Sequence, residues 1–473
     1  MTAADVTRPA ADAAGAAGAP PGPPLPAPAA NGAADNHAPA GDFDAVVVGA
    51  GPAGSAAALV LARSGQRVCL LERGPYPGSK NMYGGVVYPR ILDGLLPEWW
   101  EDAPVQRWVT RRATMTLTDD QALTIDFRTE SWGRPPYNGA TALRPEFDAW
   151  LAAKAVDAGA VLVTSTTATG LLRDRPGGAV TGVSTDRPDG DLRAGIVVAC
   201  DGVNSFLAKQ AGLHGPVDPA NYTLGAKEVL AVPARTIEER FGLGPDQGAD
   251  FEIIGCTGAI PGGGFLYTNR DSLAVGVVLH LPALATAGVR PEELIARLKA
   301  HPAVAPLVAG GELVEYSAHL IPEGGYDMMP ALAGAGILVA GDAAAMCLAA
   351  GIWLEGVNFA IASGMAAGEA AAAALAANDV SEQGLAGYRR RLQDGFVLQD
   401  HRRLRHAPHL LLSERVQRRY PQLACDIVED LFTVTNPEPK PGMRRLVRRQ
   451  VTASGVRLRD LAADTWRALR TFG

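Results

Sequence analysis

Residues 42–73, "DFDAVVVGAGPAGSAAALVLARSGQRVCLLER", give the strongest indication of the fold. The apolar run at 46–48 is typical of a parallel strand buried on both faces, and glycines in the spacing GxGxxG follow at once. In this motif the first glycine permits a tight turn, the second lets backbone approach a pyrophosphate, and the third lets helix and strand pack closely. A helix from about Pro52 would point its N–H groups at the phosphate. The stretch therefore predicts a dinucleotide site in a strand–turn–helix–strand unit.

An acidic residue completes this unit. Glu72 stands at the end of the second strand, where its carboxylate can accept hydrogen bonds from ribose hydroxyls. The pattern favours a dinucleotide site over a structural glycine turn, but it does not distinguish NAD from FAD. The cofactor-binding residues predicted for this unit are Gly49, Gly51, Pro52, Ala53, Gly54, Glu72 and Arg73.

Two later apolar strands also end in glycine and an acid. The strand at 196–200 runs into Asp201-Gly202, and the strand at 337–340 runs into Gly341-Asp342 and then, we expect, a small-residue helix. Open α/β sheets bind ligands at the edge where their strands end. The three motifs together resemble the flavoprotein fold shared by aromatic hydroxylases and their relatives. This resemblance implies an α/β chain with an FAD-binding, Rossmann-like parallel sheet of the aromatic hydroxylase/glutathione reductase type.

The same resemblance assigns roles to the strand ends. The DG motif would support the pyrophosphate and ribityl region of FAD, and the GD motif would bind the ribityl chain. The segment "LEGVNFA" falls where this superfamily begins a helix whose N-terminus faces the N1–C2=O edge of the flavin and stabilises the anionic reduced ring. The further residues implied to contact FAD are Gly84, Gly85, Arg144, Gly356, Val357 and Asn358.

Longer segments narrow the resemblance to one family. "RGPYPGSKNMYGGVVYPR", "LRPEFDAWL", "GAIPGGGFLYTNRDSLAVGVVL" and "LVAGDAAAMC" resemble the FixC group of the electron transfer flavoprotein–quinone oxidoreductase family, within a likeness that runs from about residue 43 to about residue 449. In that family a single FAD accepts electrons from a partner flavoprotein and passes them to membrane quinone. The FixC members do so in an assembly that also reduces a ferredoxin-like partner. The implied partners are therefore electron transfer flavoprotein subunits, a quinone and a small ferredoxin-like protein in trans.

The segment "GGGFLYTN" matches the family's stretch that lines the flavin and quinone region. Its glycine-rich backbone could approach a flat ring, and its aromatic side chains would supply apolar walls. A β-strand entered through a glycine turn is the structural alternative, and both descriptions can hold together. The residues implied on the quinone side are Gly263, Gly264, Phe265 and Tyr267.

Glu355 departs from the family pattern. FixC-like chains usually carry a basic residue before the conserved glycine of the flavin loop, whereas here an acid precedes Gly356. A carboxylate that pointed inward would oppose the negative charge of a reduced flavin. A carboxylate that pointed to solvent would not, and the sequence leaves both orientations open.

Neither a catalytic side-chain group nor a metal site is expected. The five cysteines are scattered without CxxC or zinc or iron–sulfur spacing, which suits reduced thiols and a chain without its own iron–sulfur domain. Electron transfer through a flavin needs orientation and exclusion of water, and the reactive atom belongs to the cofactor. The histidines His280 and His319 are accordingly interpreted as core or sheet-edge residues.

The positive charge of the chain lies at its C-terminus. The formal net charge is −7, yet residues 389–473 contain 18 Lys and Arg against 9 Asp and Glu. These arginines form either a solvated helical face or a docking surface for an acidic partner or anionic membrane, and no nucleic-acid motif accompanies them. No stretch reaches ~20 uninterrupted apolar residues. We therefore expect a cytoplasmic protein whose membrane contact, if made, is peripheral on the inner face.

The expected domain organisation is interleaved. A disordered Ala/Pro/Gly tail without a secretory signal covers 1–40, and a basic helical region covers 381–473. The FAD-binding domain would comprise 41–90, 140–215 and 318–380. A mostly antiparallel sheet from 91–139 and 216–317 would form the substrate side.

Three other functions share these motifs. A flavin monooxygenase or halogenase using NAD(P)H and oxygen has the same glycine and acid motifs, although the WxWxIP signature of halogenases is absent from the sequence. A geranylgeranyl-reductase-like enzyme would have a similarly deep apolar pocket. An FAD-binding interaction subunit, active only within a complex, is the non-enzymatic alternative.

Overall fold

The computed structural model describes residues 42–80, 84–351 and 353–473, so the tail predicted for 1–40 lies outside the described residues. The first sheet is built on five parallel strands, and their apolar residues are mostly buried except in the edge strand Val161–Val163. Val47 packs into one hydrophobic cluster and Val46 into another on the opposite side. The predicted α/β class with a parallel, Rossmann-like sheet is therefore confirmed.

The first sheet brings the three strand ends to one edge. Val46 pairs in parallel with Val197, which in turn pairs with Ile337, so the following glycines and acids meet at the carboxyl edge. In spatial order the strands are Ala333–Gly334, Ile337–Val339, Leu192–Ala199, Phe43–Val48, Val68–Leu71 and Val161–Val163, while Val180–Thr185 pairs with Leu192–Ala199 and with Ala168–Arg173.

The second sheet has nine strands and is antiparallel except where Gln247–Ile254 runs parallel to Val105–Leu117. Alternate residues face opposite sides. Phe251 and Ile253 pack with the helices Ala234–Phe241 and Pro291–Ala300 on the outer face. In spatial order the strands are Glu312–Pro322, Tyr222–Ala231, Ser272–His280, Gly262–Thr268, Gln247–Ile254, Val105–Leu117, Ala140–Leu143 and Gly84–Val87, with Ala122–Arg128 attached to Val105–Leu117.

Two short strands belong to a different sheet from the one that the predicted domain limits imply. Gly84–Val87 and Ala140–Leu143 fall within the ranges assigned to the FAD domain, yet they hydrogen-bond in the second sheet. The chain therefore passes between the sheets inside those ranges. The domain limits themselves stay a prediction.

The longest helix, Val357–Ala376, lies in the core against the helix Pro52–Arg63. Small residues allow this contact, because a Cβ at Gly364 would overlap the carbonyl oxygen of Ala53. By length and composition this helix could cross a membrane, but 67% of its apolar window is buried inside the protein. Its apolar surface is therefore explained by packing against neighbouring elements.

The small-residue helix expected after Asp342 is present, but a loop separates it from the strand. One 3-10 turn, Gly341–Ala344, follows the strand, and a two-stranded ladder of Leu348–Ala349 and Leu354–Glu355 precedes the long helix. Gly341 has φ +67°, a backbone conformation that favours glycine and turns the chain away from the sheet. The helix therefore begins after the loop, with Gly356 as its N-cap.

The C-terminal region is helical, as predicted, and its helices carry many of the exposed arginines. They are Gly387–Asp394, Phe396–Arg403, Ala407–Leu411, Tyr420–Phe432, Met443–Ala453 and Leu458–Phe472.

The remaining α-helices of the described chain lie before this region and are Arg144–Asp157, Phe206–Gln210, Leu281–Ala287 and Ala305–Val308.

Candidate functional site

A cavity of about 420 Å³ joins the carboxyl edge of the first sheet to the inner face of the second. Its volume lies within the range of ligand pockets, roughly 300–1,000 Å³. The structure brings together residues from five separate parts of the sequence there. The predicted site residues that line the cavity are Gly49, Gly51, Pro52, Ala53, Glu72, Arg73, Arg144, Asp201, Gly202, Gly263, Gly264, Phe265, Tyr267, Asp342, Gly356 and Val357.

The glycine turn leaves backbone open to the cavity. Gly49 has φ +101°, and a Cβ at that position would overlap the carbonyl oxygen of Cys200 on the neighbouring strand. A Cβ at Gly51 would meet only the Arg144 guanidinium, at 3.8 Å, and would otherwise extend into the cavity. Since the helix that follows begins with Pro52 and points its N–H groups at this space, the turn fits an anionic pyrophosphate.

Glu72 holds the glycine turn from the neighbouring strand end. Its carboxylate accepts hydrogen bonds from the N–H of Ala50 at 3.2 Å and from the N–H of Gly74 at 2.6 Å. The side chain is buried and lines the cavity. Besides the predicted ribose contact, Glu72 therefore has a structural role that sequence reasoning did not include.

Replacing Glu72 with alanine is expected to weaken FAD binding about tenfold or more. The change removes two hydrogen bonds to a carboxylate, each contributing about 1.5–3 kcal/mol, and about 1.4 kcal/mol corresponds to a tenfold change in Kd. Glu72→Gln, which keeps the size and one acceptor oxygen, should lose less. Fluorescence titration of the deflavinated proteins with FAD measures the affinities of both variants. Equal affinities for wild type and Glu72→Ala would contradict the role of Glu72 in holding the glycine turn.

Arg144 stands at the first position of the helix Arg144–Asp157. Its guanidinium donates to both carboxylate oxygens of Asp148, at 2.6 and 2.8 Å, and this bidentate pair fixes its orientation beside the glycine turn. The Asp148 carboxylate, which is buried, therefore holds the Arg144 cation at the glycine-turn end of the cavity.

The two later acids occupy different environments. Asp201 accepts the N–H of Leu207 at 3.1 Å, while burial raises its pKa. Burial also raises the pKa of Asp342, against the opposing effect of His319 and Arg144. Conversely, burial lowers the pKa of His319, and the Asp342 carboxylate opposes that shift. His319, which the sequence suggested was a core or sheet-edge residue, lies on the edge strand Glu312–Pro322 and lines the same cavity as Asp342.

The structure gives Glu355 an orientation that neither sequence alternative described. Its carboxylate accepts hydrogen bonds from Nε1 of Trp353 at 3.2 Å and from Nδ2 of Asn358 at 2.7 Å. The half-buried acid therefore bridges the loop to the first turn of the long helix. Gly356 and Val357 line the cavity at the N-terminus of that helix.

The other predicted residues do not line the cavity. A Cβ at Gly54 would overlap the carbonyl oxygen of Gly49, and Gly341 donates its N–H to Oγ of Ser363 at 3.0 Å. Asn358 binds Glu355, as described. The pair Gly84 and Gly85 lies in a strand of the second sheet.

The second sheet covers the cavity with an aromatic wall. Phe265 and Tyr267 stack with their centroids 4.9 Å apart and their planes at 12°. Space for Phe265 comes from Gly276 on the adjacent strand, where a Cβ would overlap the Phe265 ring and approach the Cβ of Lys227 to 2.9 Å. The strand alternative for "GGGFLYTN" is correct, and its side chains also line the cavity.

Sequence reasoning missed a buried charged cluster on this sheet. Arg112 forms ion pairs with Asp250, at 3.0 Å, and with Glu252, and its guanidinium lies 4.7 Å from the Trp353 ring centroid and 5.6 Å from that of Tyr88. Alternation of buried polar and apolar residues at 249–253 is the signal that could have indicated a polar inner face.

Two further ionisable groups line the cavity. Burial raises the pKa of Glu323 to about 7, although the hydroxyl of Thr223, 2.7 Å away, opposes the shift. Burial lowers the pKa of Lys227, which pairs with Glu315 at 3.4 Å. Among residues 42–80, 84–351 and 353–473, no group of three or more His, Cys, Asp or Glu could hold a metal ion.

Comparison with protein families matches both ends of the folded chain. The FAD binding domain family matches residues 42–241, and the ETF-QO/FixC family C-terminal domain matches residues 407–473. Solved structures share the fold. A geranylgeranyl bacteriochlorophyll reductase-like protein from Thermoplasma acidophilum has a TM-score of 0.66 at 21% identity, covering 87% of this chain and 96% of its own. The flavin-dependent brominase Bmp2 has a TM-score of 0.58 at 16% identity, covering 87% and 99%. At these identities the likeness shows the fold alone.

Curated relatives are much closer in sequence. Protein FixC of Escherichia coli (strain K12) is 42% identical over 409 residues, which cover 86% of this chain and 94% of the relative. The probable electron transfer flavoprotein-quinone oxidoreductase YdiS of the same strain is 40% identical over 406 residues, with the same coverage. Protein FixC of Bradyrhizobium diazoefficiens is 39% identical over 396 residues, covering 83% and 90%. The chain therefore belongs to the electron transfer flavoprotein–quinone oxidoreductase/FixC family, as an FAD-dependent oxidoreductase.

Proposed function

We propose that this protein passes electrons from an electron transfer flavoprotein to a quinone. One observation carries the proposal: a single cavity connects the glycine turn of the first sheet to the stacked Phe265 and Tyr267 of the second. A flavin held at the first end would present its ring to a flat apolar ligand at the other. Membership of the family supports the same direction of electron flow.

The side chains of the cavity hold and orient FAD in this proposal. The Gly49–Gly51 turn and Arg144 would bind the pyrophosphate, Glu72 the ribose, and Asp201 and Asp342 the ribityl region. The N-terminus of the helix Val357–Ala376 would stabilise negative charge on the ring. Bound FAD supplies storage for two electrons, and the second sheet excludes water from it.

The electron donor would be a pair of electron transfer flavoprotein subunits. A small ferredoxin-like protein in trans would supply the iron–sulfur carrier, because the five cysteines are free and far apart in sequence. The basic C-terminal helices offer a surface for an acidic partner. In an assembly of these proteins, electrons could divide between the quinone and the ferredoxin-like protein.

Single-turnover reduction tests the proposed electron flow. The FAD of the purified protein should bleach when mixed with the reduced flavoprotein partner and recover its colour when a quinone is added. NADH alone should leave it oxidised. Rapid bleaching by NADPH with an aromatic substrate, or saturation of geranylgeranyl lipids, would replace the proposal with one of the alternative enzyme classes.

A row of exposed apolar side chains on the last helix supports contact with a membrane. Leu458, Ala462, Trp466 and Leu469 are spaced by four, four and three residues along Leu458–Phe472, so they share one face. Arg459 and Arg470 are exposed on the same helix. We call these four apolar residues the C-terminal stripe, and we propose that it lies on the anionic inner face of the cell membrane.

Trp466→Ser combined with Leu469→Ser is expected to lower binding to anionic vesicles at least tenfold. Each large apolar side chain contributes about 1.5–3 kcal/mol when it leaves water, and about 1.4 kcal/mol is tenfold. Co-sedimentation with phosphatidylglycerol-containing vesicles measures this. The matched control is Leu313→Ser with Val314→Ser, which changes two equally exposed apolar residues on a strand of the second sheet. Equal binding of both variants would contradict the assignment.

A further inference from the structure

The charged cluster of the second sheet has more acid than base. Asp250 and Glu252 follow each other on one face of the strand Gln247–Ile254, and both pair with the guanidinium of Arg112. Both acids are buried, with 1% and 5% of their surfaces exposed. One guanidinium can neutralise only one of the two carboxylates.

The surroundings of Asp250 favour a retained proton. Its Oδ1 atom is buried without a hydrogen-bond partner in the described chain, and its other carboxylate oxygen, Oδ2, lies 3.0 Å from Nε of Arg112, the guanidinium that also pairs with Glu252. Burial first, and then the Glu252 carboxylate, raise the pKa of Asp250 well above its usual range, while Arg112 opposes the shift. Such an acid pair holds one proton because two adjacent negative charges repel.

The other ionisable neighbours do not supply a compensating cation. Tyr88 faces the cluster, and burial followed by the Asp250 charge raises its pKa well above the usual range. Glu355 acts on Tyr88 in the same direction and is held by Trp353, whose ring stacks on Arg112. The cluster thus combines three acids, a neutral tyrosine and one arginine.

The Asp250–Glu252 pair lies at the end of the cavity that is lined by Phe265 and Tyr267. Glu252 lies opposite Phe265 in the strand register, and Asp250 lies opposite Tyr267, so these side chains share the inner face. Glu252 lines the cavity together with both aromatic residues and Trp353, whereas Asp250 lies behind it. A proton held by the pair would therefore have its exit at Glu252.

We propose that the Asp250–Glu252 pair holds one proton and that Glu252 delivers it to an oxygen of the bound quinone. This inference rests on the proposed quinone-reducing function. The carboxyl pair would give one of the two protons that a quinol needs, while bound reduced FAD would supply the two electrons and the other proton and would end oxidised. An O–H bond forms on the quinone as the O–H bond of the carboxyl group breaks, and solvent afterwards reprotonates the pair. Asp250 is a positioning residue that keeps the proton on the pair.

The test compares two electron acceptors with the FAD-loaded protein. The flavin is first reduced with dithionite and then mixed, without oxygen, with ubiquinone-1, which takes up protons, or with ferricenium, which does not. Glu252→Gln and Asp250→Asn should each slow the quinone reaction about 100-fold, the lower range of general acid catalysis. The rate of the reaction with ferricenium should change less than twofold in either variant. In wild type the quinone rate should fall as pH rises, and Glu252→Gln should abolish that dependence.

The control variant is Asp126→Asn, which removes a carboxylate of the same sheet that pairs with Arg111 outside the cavity. Asp126→Asn should react with ubiquinone-1 and with ferricenium at the wild-type rates. Unchanged quinone rates in both pair variants, or equal losses with both acceptors, would overturn the proton donor while leaving quinone reduction intact. A wild type that reduces ferricenium but no quinone would remove both proposals. Should the variants fail to fold, a wild-type quinone rate that is unaffected by D₂O and by pH would equally overturn the donor.

Discussion

A protein carrying Gly54→Val is expected to retain no FAD after purification. The Cβ of any residue at this position would overlap the carbonyl oxygen of Gly49, and the third-nearest atom is a methyl carbon of Val47 at 3.3 Å. Neither backbone nor buried strand can move without displacing the turn that would bind pyrophosphate. Overpacking in a filled core costs about 1–3 kcal/mol, and a clash with backbone costs more. The flavin absorbance of the purified protein, relative to its protein absorbance, measures the loss.

Gly94→Ala is the matched control for this substitution. No atom lies within 4 Å of a Cβ at Gly94, which ends the 3-10 helix Pro89–Gly94. This variant should therefore bind FAD as the wild type does and unfold at the same temperature. Normal flavin content in Gly54→Val would show that the glycine turn does not determine cofactor binding.

Arg112→Met is expected to destabilise the protein by about 3–5 kcal/mol near neutral pH, because removing one partner of a buried ion pair leaves uncompensated charge. It also removes the guanidinium stacked on Trp353 and Tyr88. Urea unfolding of the FAD-loaded protein measures the change. Arg235→Met removes an exposed pair with Glu239 and should cost below about 1 kcal/mol.

The Arg112→Met defect should depend on pH in a defined direction. The folded-state pKa of Asp250 is raised above its unfolded value, so the stability linked to its proton is present at low pH and is lost as pH rises through the folded pKa. Without Arg112 that pKa rises further. The difference between variant and wild type should therefore shrink in mildly acidic buffer, and a constant difference would show that the lost stability is packing alone.

The strand ends of the first sheet could be predicted because their signals are local. Each apolar run stands directly beside its glycine and acid, and parallel pairing brings their carboxyl ends together. The strand Phe43–Val48, the helix Pro52–Arg63 and the start of Val357–Ala376 accordingly agree with the sequence prediction to within a few residues. The individual site residues remain predictions that FAD-binding measurements can test.

The Arg112 cluster could not be predicted in the same way. Its members come from residues 88, 112, 250, 252 and 353, and their meeting depends on the register between Gln247–Ile254 and Val105–Leu117. On a strand whose residues alternate between two faces, the sequence does not show whether a single arginine or acid is buried or solvated. The position of Glu355 was likewise undetermined, because it depends on which neighbouring donors reach the carboxylate.

Because Glu355 bridges Trp353 and Asn358, reversing its charge would not measure the electrostatic effect on the flavin potential alone. Lysine would add a positive charge, but it has no acceptor oxygen for Trp353 or Asn358, so the indole on Arg112 and the first turn of the long helix would both be released. A shift in flavin potential would then combine electrostatics with loop movement. Glu355→Gln separates the two, because its amide keeps one acceptor oxygen and removes the charge.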